Sequence, residues 1–417
     1  MYNTVFYIII GITVFDFILE RVLSILNTSR MNTTLPEDLK DVFDEEQYKK
    51  SQKYKRANDK FSMITSSFSF VIIMLMFFMG GFNFVDEIAR QYSVHPIVVA
   101  LIFFGLLMLA SDIINIPFAL YDTFVIEEKF GFNKTTVKIF ILDKLKGWLL
   151  GAIIGGGLLS LIIWFYLQTR QMFWIYALIA FTAFSIFMSM FYSNLIVPLF
   201  NKQKPLDEGE LKNAIEEFSK KAGFKLKNIY VIDGSKRSTK SNAYFTGLGT
   251  KKRIVLYDTL INDLSVNEIV AVLAHEIGHY KKKHTLIGLA TGIFQTAVTL
   301  FIFSLLVDSP QLSHALGSGQ PSFHLALVAF GILYSPIALV SGLVLNVFSR
   351  RNEYTADKFA ARHYHALHLI SALKKLSQKN LTNLTPHPAY VFFYYSHPTL
   401  LQRVKALKAF ASFHKPL

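Results

Sequence analysis

Seven long apolar runs constrain this chain more than any other feature of its sequence. They cover roughly residues 4–24, 62–84, 97–120, 147–168, 172–195, 285–307 and 325–348. Each run is about 20 residues long, which as a helix is enough to cross the ~30 Å hydrocarbon core of a bilayer. With 52% hydrophobic residues and 39 Phe, the chain is too apolar for an ordinary soluble protein. The sequence therefore predicts a predominantly α-helical, polytopic membrane protein with seven transmembrane helices.

The basic residues indicate which ends of these runs face the cytosol. Residues 25–60, 122–146, 196–284 and 349–417 contain 40 of the 43 Lys and Arg. Because cytosolic loops are enriched in Lys and Arg, these segments are predicted to be cytosolic, with the N-terminus outside or lumenal and the C-terminus cytosolic. A basic rim at the membrane surface explains the formal net charge of +14, so no nucleic-acid partner is expected.

The first apolar run also bears on processing of the chain. It begins almost at Met1, without a basic segment before it and without a small-residue cleavage site after it. We therefore expect no cleavable signal peptide.

The longest basic segment, residues 196–284, has the pattern of a small α+β domain. A helix is expected near 207–222, followed by strands at 229–232, 242–248 and 253–258, the last two joined by a turn at 249–252. Ser265 and Glu268 have the spacing of a capping box, which marks the start of a further helix.

The helix that starts at Ser265 contains His275-Glu276-Ile277-Gly278-His279. Two His four residues apart share one helix face, so His275 and His279 can bind the same metal ion, and Glu276 can reach a water on that ion. Because the chain has no Cys, the metal must rest on His and carboxylate ligands. The pattern predicts one Zn²⁺ per chain and the hydrolysis of peptide bonds.

A zinc ion of this kind takes a third protein ligand and keeps one position open. Glu353 is the best candidate, because it follows the seventh apolar run on the same face of the membrane as the metal motif. Asp357 lies one helical turn further on and can hydrogen-bond a ligating imidazole. The spacing alone does not decide between Glu353 and Asp357, and a surface carboxylate without metal is the alternative for Glu353.

These motifs divide the chain into four parts. Residues 1–195 are expected to form a membrane domain with spans one to five, and residues 196–284 a cytosolic catalytic region with the metal-binding helix. Residues 285–348 contain spans six and seven, and residues 349–417 form a cytosolic tail with the third zinc ligand.

Six stretches in the same order resemble the zinc-dependent type I CaaX prenyl proteases, which are seven-span membrane metalloproteases of the gluzincin group. They are residues 121–135, 194–211, 241–248, the metal motif, the segment with Glu353 and Asp357, and 396–403. The resemblance covers nearly the whole chain. It implies seven helices around a water-filled chamber, with a small α+β zincin-like catalytic domain in the cytosol. Zinc would be bound by His275, His279 and Glu353.

The resemblance also implies roles in catalysis. Glu276 would be the general base, and His397 would stabilise the oxyanion of the tetrahedral intermediate. Arg403 would brace Asp357 or the substrate carboxylate. From the residues alone, His397 can equally be a helix-entry residue before a proline, and Arg403 an ordinary helix ion pair.

For the substrate, the resemblance implies an edge strand beside the metal. Asn242 and Ala243 would lie on that strand and pair with an extended substrate backbone. Lys240 stands where many family members have His, and Gln402 replaces a common acidic residue.

Taken together, the sequence predicts an integral-membrane zinc endopeptidase of the bacterial inner membrane or the endoplasmic reticulum. Its expected partners are the bilayer and a peptide or protein substrate, hydrophobic or C-terminally prenylated, cut near its C-terminus. One alternative is a quality-control metalloprotease for membrane proteins, although the five runs before the catalytic region argue against it. Another is a non-enzymatic membrane chaperone or scaffold, against which the intact Glu276 argues.

Overall fold

The computed structural model describes residues 3–31, 34–41, 43–224, 226, 228–246 and 253–413, which are mostly helical. The helices of the first half are α1 Thr4–Ser29, α2 Glu45–Phe78, α3 Gly81–Tyr92, α4 Pro96–Tyr121, α5 Glu128–Phe130, α6 Val137–Leu150, α7 Gly156–Thr169, α8 Phe173–Leu195 and α9 Val197–Phe200. Those of the second half are α10 Glu210–Lys221, α11 Asp258–Asp263, α12 Val266–Lys281, α13 His284–Leu306, α14 Pro310–Ala315, α15 Phe323–Leu333, α16 Ser335–His363, α17 Ala366–Lys379, α18 Pro388–Tyr394 and α19 Leu400–Phe413.

Among the described residues, four helical stretches are long and apolar enough to cross a membrane. They are Glu45–Phe78, Pro96–Phe130, Val137–Phe200 and His284–Leu306. Helices α15 and α16, bent by 52° relative to each other, would together make a fifth. The bend coincides with Pro336 in the first turn of α16, where a ring replaces the N–H that would continue the preceding helix.

This number differs from the seven predicted spans for two physical reasons. The first predicted span lies within α1, whose apolar stretch is interrupted by Asp16, Glu20 and Arg21. The fourth and fifth both lie within Val137–Phe200. There the chain turns back at Arg170, a non-glycine residue with a φ of 48°, so that α7 and α8 pack against each other.

A mixed sheet lies between α9 and α12 in sequence, with strands β1 Gln203–Pro205, β2 Asn228–Ile232, β3 Ala243–Thr246 and β4 Arg253–Tyr257. Their order in space is β1–β2–β4–β3, where β2 and β4 are parallel and the outer strands antiparallel. The strands predicted at 229–232, 242–248 and 253–258 correspond to β2, β3 and β4, except that Asn242 precedes β3 and Asp258 is the first residue of α11. Residues 247–248 and the predicted turn at 249–252 lie outside the described residues. Strand β3 forms one edge of the sheet.

Helix α12 packs under the sheet and starts where the sequence predicts. The backbone N–H of Ser265 donates to Glu268 Oε2 at 2.8 Å, and the N–H of Glu268 donates to Ser265 Oγ at 3.4 Å, so the capping box is confirmed. Apolar residues of α12, among them Ile269, Leu273 and Ile277, are buried in a core shared with the sheet, α10 and α17. The opposite face of α12 packs against α16.

The crossing of α12 and α16 is unusually close at Gly278. A Cβ placed there would come within 3.1 Å of the Cα and the carbonyl oxygen of Ala356. A larger residue at position 278 would push the two helices apart, so the glycine favours the close approach that brings the His residues of α12 next to the carboxylates of α16.

Candidate metal centre

His275, His279 and Glu353 meet at the crossing of α12 and α16. One ligand atom from each lies within 4.8 Å of the others. Nε2 of His275 and Nε2 of His279 are 3.1 Å apart. Glu353 places Oε2 3.5 Å from Nε2 of His275, and Oε1 3.2 Å from Nε2 of His279. Because two ligands of a tetrahedral zinc ion are separated by about 3.3 Å, this donor set has the size of a zinc site.

The state of Glu353 also fits a cation at this point. Its carboxylate is 4% exposed, and Oε2 has no hydrogen-bond partner among the described residues. Burial opposes ionisation, but the hydrogen bond with His279 and the electrostatic effect of His275 and of the Arg403 guanidinium outweigh it and lower the pKa of Glu353 to about 2. Arg403 Nη1 lies 3.4 Å from Oε2 without a hydrogen bond to it, so a metal ion at this point would supply the partner that the buried oxygen lacks.

Asp357 lies behind the imidazole of His275, away from the three donor atoms. The ring donates from Nδ1 to Asp357 Oδ1 at 2.8 Å, which turns the lone pair of Nε2 toward Glu353 and His279. Burial raises the pKa of Asp357, but its hydrogen bonds with His275 and Arg403 more than compensate and lower it to about 2. In this structure Glu353 therefore points toward Nε2 of His275 and Nε2 of His279, whereas Asp357 orients the ring of His275.

His279 is oriented by a residue that the sequence analysis did not identify. Nδ1 of His279 shares a hydrogen bond of 3.0 Å with Nδ1 of His284, and Nε2 of His284 is 3.2 Å from the hydroxyl of Thr355. Helix α12 ends at Lys281, and Lys283 has a left-handed φ of 60° that returns the chain toward His279. A helical spacing rule cannot find this pair, because the helix breaks between its two members.

His397 and Arg403 approach the same carboxylate from the C-terminal part of the chain. Nε2 of His397 is 3.4 Å from Glu353 Oε1, and the side chain is 64% exposed. Arg403, on α19, has a side chain that is only 12% exposed and places Nη1 3.4 Å from Glu353 Oε2. It also donates to both oxygens of Asp357. Both residues therefore lie beside the donor set. His397 is open to solvent, and Arg403 is largely shielded from it.

Asn242 and Ala243 lie at the start of edge strand β3. The carbonyl of Asn242 accepts from the N–H of Tyr257 at 3.2 Å, and its side chain accepts from the N–H of Ala243 at 2.8 Å. Both residues line a cavity of about 740 Å³ that also contains the three donor residues and Glu276. Glu276 is half-buried in that cavity. The edge of β3 and the donor set therefore line the same open cavity.

The residues just before β3 are held from three sides. Lys240 donates from Nζ to Glu127 Oε2 at 2.7 Å and to the hydroxyl of Tyr54 at 2.9 Å. The N–H of Ser241 donates to Asn380 Oδ1 at 3.2 Å, and its hydroxyl donates to Asp263. Burial opposes the charged form of Lys240, but the contacts with Glu127 and Tyr54 raise its pKa. In the sequence Lys240 stands out only as a departure from a family pattern, whereas in the structure it contacts both Glu127 and Tyr54.

Two family models match consecutive parts of this chain. Residues 24–202 match the model described as CAAX prenyl protease N-terminal, five membrane helices. Residues 205–411 match the model of peptidase family M48, and this match contains strands β2 to β4, the metal motif and Glu353.

Whole-length relatives agree with these matches. CAAX prenyl protease 1 of Saccharomyces cerevisiae is 36% identical, over 96% of this chain and 94% of its own length. The human CAAX prenyl protease 1 homolog is 32% identical, over 91% and 90%. The crystal structure of S. mikatae Ste24p superimposes with a TM-score of 0.91 at 35% identity, and covers 97% of this chain and 99% of that one.

Proposed function

The chain belongs to peptidase family M48 and, within it, to the CAAX prenyl proteases, and on this premise we propose that it cuts CaaX-type polypeptides after their prenylated cysteine. It is an integral-membrane metalloprotease. One observation carries the proposal for its substrate: the donor set, Glu276 and the edge of β3 all face the same cavity. An extended peptide paired with that edge would pass its backbone by the donor set.

Zinc is the proposed metal, with one ion per chain held by His275, His279 and Glu353. When bound, zinc supplies Lewis acidity, which polarises a carbonyl and lowers the pKa of a water molecule. Asp357 and His284 hold the two imidazoles with Nε2 toward the metal position. Such supporting contacts typically change metal affinity 10–100-fold.

The remaining residues are proposed to move protons and to orient the substrate. Glu276 accepts the proton of the attacking water and passes it to the leaving amine. His397, exposed beside Glu353, donates a hydrogen bond to the oxyanion as it forms. Asn242 and Ala243 align the peptide along β3.

We further propose that the chain crosses the membrane seven times around a water-filled chamber. In this arrangement α1 is a span, and Val137–Phe200 contributes two. A polar cavity of about 720 Å³ supports the chamber, because ionisable residues of apolar helices, including Asp16, Glu20 and Asp122, line it together. The basic segments support a cytosolic catalytic α+β domain at 196–284, with the N-terminus outside or lumenal. The membrane would be the endoplasmic reticulum in a eukaryotic host, or the inner membrane in a bacterium.

The test is cleavage of a farnesylated CaaX peptide by the purified full chain in detergent, with products identified by mass. We expect release of the residues after the cysteine, loss of release with a chelator, and recovery with Zn²⁺. An unfolded membrane protein serves as the parallel substrate. If only that substrate is cut, a quality-control protease is the better description. A zinc-loaded chain that cuts neither substrate would instead support a chaperone or scaffold.

A further inference from the structure

The cavity of the metal centre continues between α13 and α16. These helices run antiparallel, since His284 contacts Thr355 at 3.2 Å while, deeper along the pair, the amide of Gln295 donates to the hydroxyl of Ser341 at 3.3 Å. At 1.5 Å per residue, the two contacts are about 16 Å apart along α13. They connect the helices at both ends of a stretch that begins beside His279.

Between these two contacts the helices leave a slot. It is lined by six residues of the metal-site cavity, which we call the α13–α16 slot: Thr285, Gly288, Thr291 and Gly292 on α13, and Leu345 and Phe348 on α16. Positions 285, 288 and 292 share one helix face. A Cβ on Gly288 or Gly292 would meet no atom within 4 Å. No neighbouring backbone requires these glycines, and the space in front of them is open.

The slot differs from the rest of the cavity in charge. The ionisable side chains lining the cavity lie at the metal end and include Glu276, Glu353 and Arg403, whereas none of the six slot residues is ionisable. The hydroxyl of Thr291 already donates to the carbonyl of Ile287 at 2.8 Å. An apolar chain without hydrogen-bonding groups therefore matches the slot.

We propose that the α13–α16 slot binds the isoprenoid chain on the substrate cysteine. The inference rests on the proposed function, which supplies a prenylated cysteine just before the scissile bond. An isoprenoid on that residue must start next to the metal and extend away from it, and the slot has this position and direction. Another part of the cavity is lined by Leu369, Leu373 and Leu376 of α17. It would bind the residues after the scissile bond. Each alkyl group removed from water adds to affinity.

Narrowing the slot tests the proposal. Gly288→Leu and Gly292→Leu place a side chain in the open space, and one CaaX sequence is assayed with farnesyl, geranylgeranyl or S-methyl cysteine. We expect the ratio of kcat/KM for farnesyl over S-methyl peptide to fall at least about tenfold, and that for the longer geranylgeranyl peptide to fall further. Gly342→Leu is the matched control, because a Cβ there also meets no atom within 4 Å but the residue does not line the cavity. If kcat/KM falls equally for all three peptides, or falls for none of them, the ratio is unchanged and the proposal is overturned.

A binding measurement separates this inference from the proposed function. The Glu276→Gln variant is incubated with a CaaX peptide whose isoprenoid ends in a photoreactive diazirine, irradiated and mapped by mass spectrometry. Labelling within α13 or α16, reduced by Gly288→Leu, supports the slot, while labelling confined to other helices rules it out. If the wild-type chain cuts no CaaX peptide, the proposed function fails in the cleavage assay, whereas the labelling pattern still reports on the slot.

Discussion

Arg403 donates to both oxygens of Asp357, from Nε at 2.9 Å and from Nη2 at 2.6 Å, and Asp357 accepts from the ring of His275 on its other side. Three helices far apart in sequence, α12, α16 and α19, are joined by this chain of contacts. The last helix of the protein is therefore part of the support of the metal centre.

Replacing Arg403 should weaken metal binding. Arg403→Met leaves the buried carboxylate of Asp357 without its cation, and we expect zinc affinity to fall about 10–100-fold. Arg403→Lys keeps the charge but loses the paired hydrogen bonds, so an intermediate loss is expected. Competition with a chelator measures the affinity. Lys405→Met is the control, because Lys405 lies on the same helix as Arg403 but its exposed side chain pairs only with Asp38 among the ion pairs of the described residues. Zinc affinity should change little in this variant. Equal affinities in Arg403→Met and the wild type would contradict this role.

Glu276→Gln tests the proposed base. The amide cannot accept the proton of water, so kcat should fall about 10²–10⁴-fold while zinc remains bound at one ion per chain. Metal analysis and single-turnover cleavage on the same preparation measure both quantities. Full activity in a zinc-loaded variant would remove Glu276 from the mechanism.

His397→Ala tests the proposed oxyanion contact. Because the hydrogen bond strengthens only as charge develops on the substrate oxygen, kcat should fall about 10²–10³-fold with little change in KM. His363→Gln, on an exposed side chain of α16, is the control. A change confined to KM would instead indicate that His397 helps only to bind the peptide.

The Lys240–Glu127 contact should act on substrate binding through the position of β3. Lys240→Met removes the anchor before Asn242, so we expect KM to rise more than kcat falls, by an effect of about 1 kcal/mol for this partly exposed pair. Glu127→Gln should have a similar effect. If the pair acts as a unit, the double variant should lose less than the two singles added together. Strict additivity would show that the two side chains act separately.

Glu268 makes a pH-dependent contribution to stability. Burial disfavours its charge, but hydrogen bonds from Lys375, Ser371 and the backbone of Ser265 lower its pKa in the folded chain. With the folded pKa below the unfolded value of about 4.3, the stabilisation is complete above that value and is lost as pH falls through the folded pKa. Glu268→Gln should therefore destabilise the chain by about 1 kcal/mol at pH 7 and by much less in acid. Thermal unfolding of the full chain at several pH values measures this difference, with the exposed Glu37→Gln as control. A destabilisation that is the same at every pH would be inconsistent with a charged Glu268.

Local patterns carried most of what could be predicted. The spacing of His275 and His279, the capping box at Ser265 and the short apolar run of β4 are each decided by a few neighbouring residues, and the structure has a helix or strand at each place. The proximity of Glu353 followed from topology, since a segment after one span must lie near another on the same membrane face. Its orientation relative to Asp357 did not follow, because it depends on the angle at which α16 crosses α12.

Other features depend on residues that no local pattern relates. His284 returns to His279 through one left-handed residue, and Lys240 meets Glu127 across 113 positions of sequence. The hydropathy of α1 is similarly ambiguous. Asp16 weakens it as a span, yet its carboxylate accepts a hydrogen bond from the hydroxyl of Ser335 at 2.7 Å and so has a partner within the protein.

The continuity of α16 has a mechanical consequence. One unbroken helix from Ser335 to His363 carries Leu345 and Phe348 of the slot and, about one turn further on, Glu353, and it packs closely against α12 at Gly278. A rigid rod transmits tilt along its length, so a bilayer that thins or stretches and reorients the apolar half also displaces the carboxylate. The position of Glu353 is therefore expected to depend on how the apolar half of α16 sits in the bilayer.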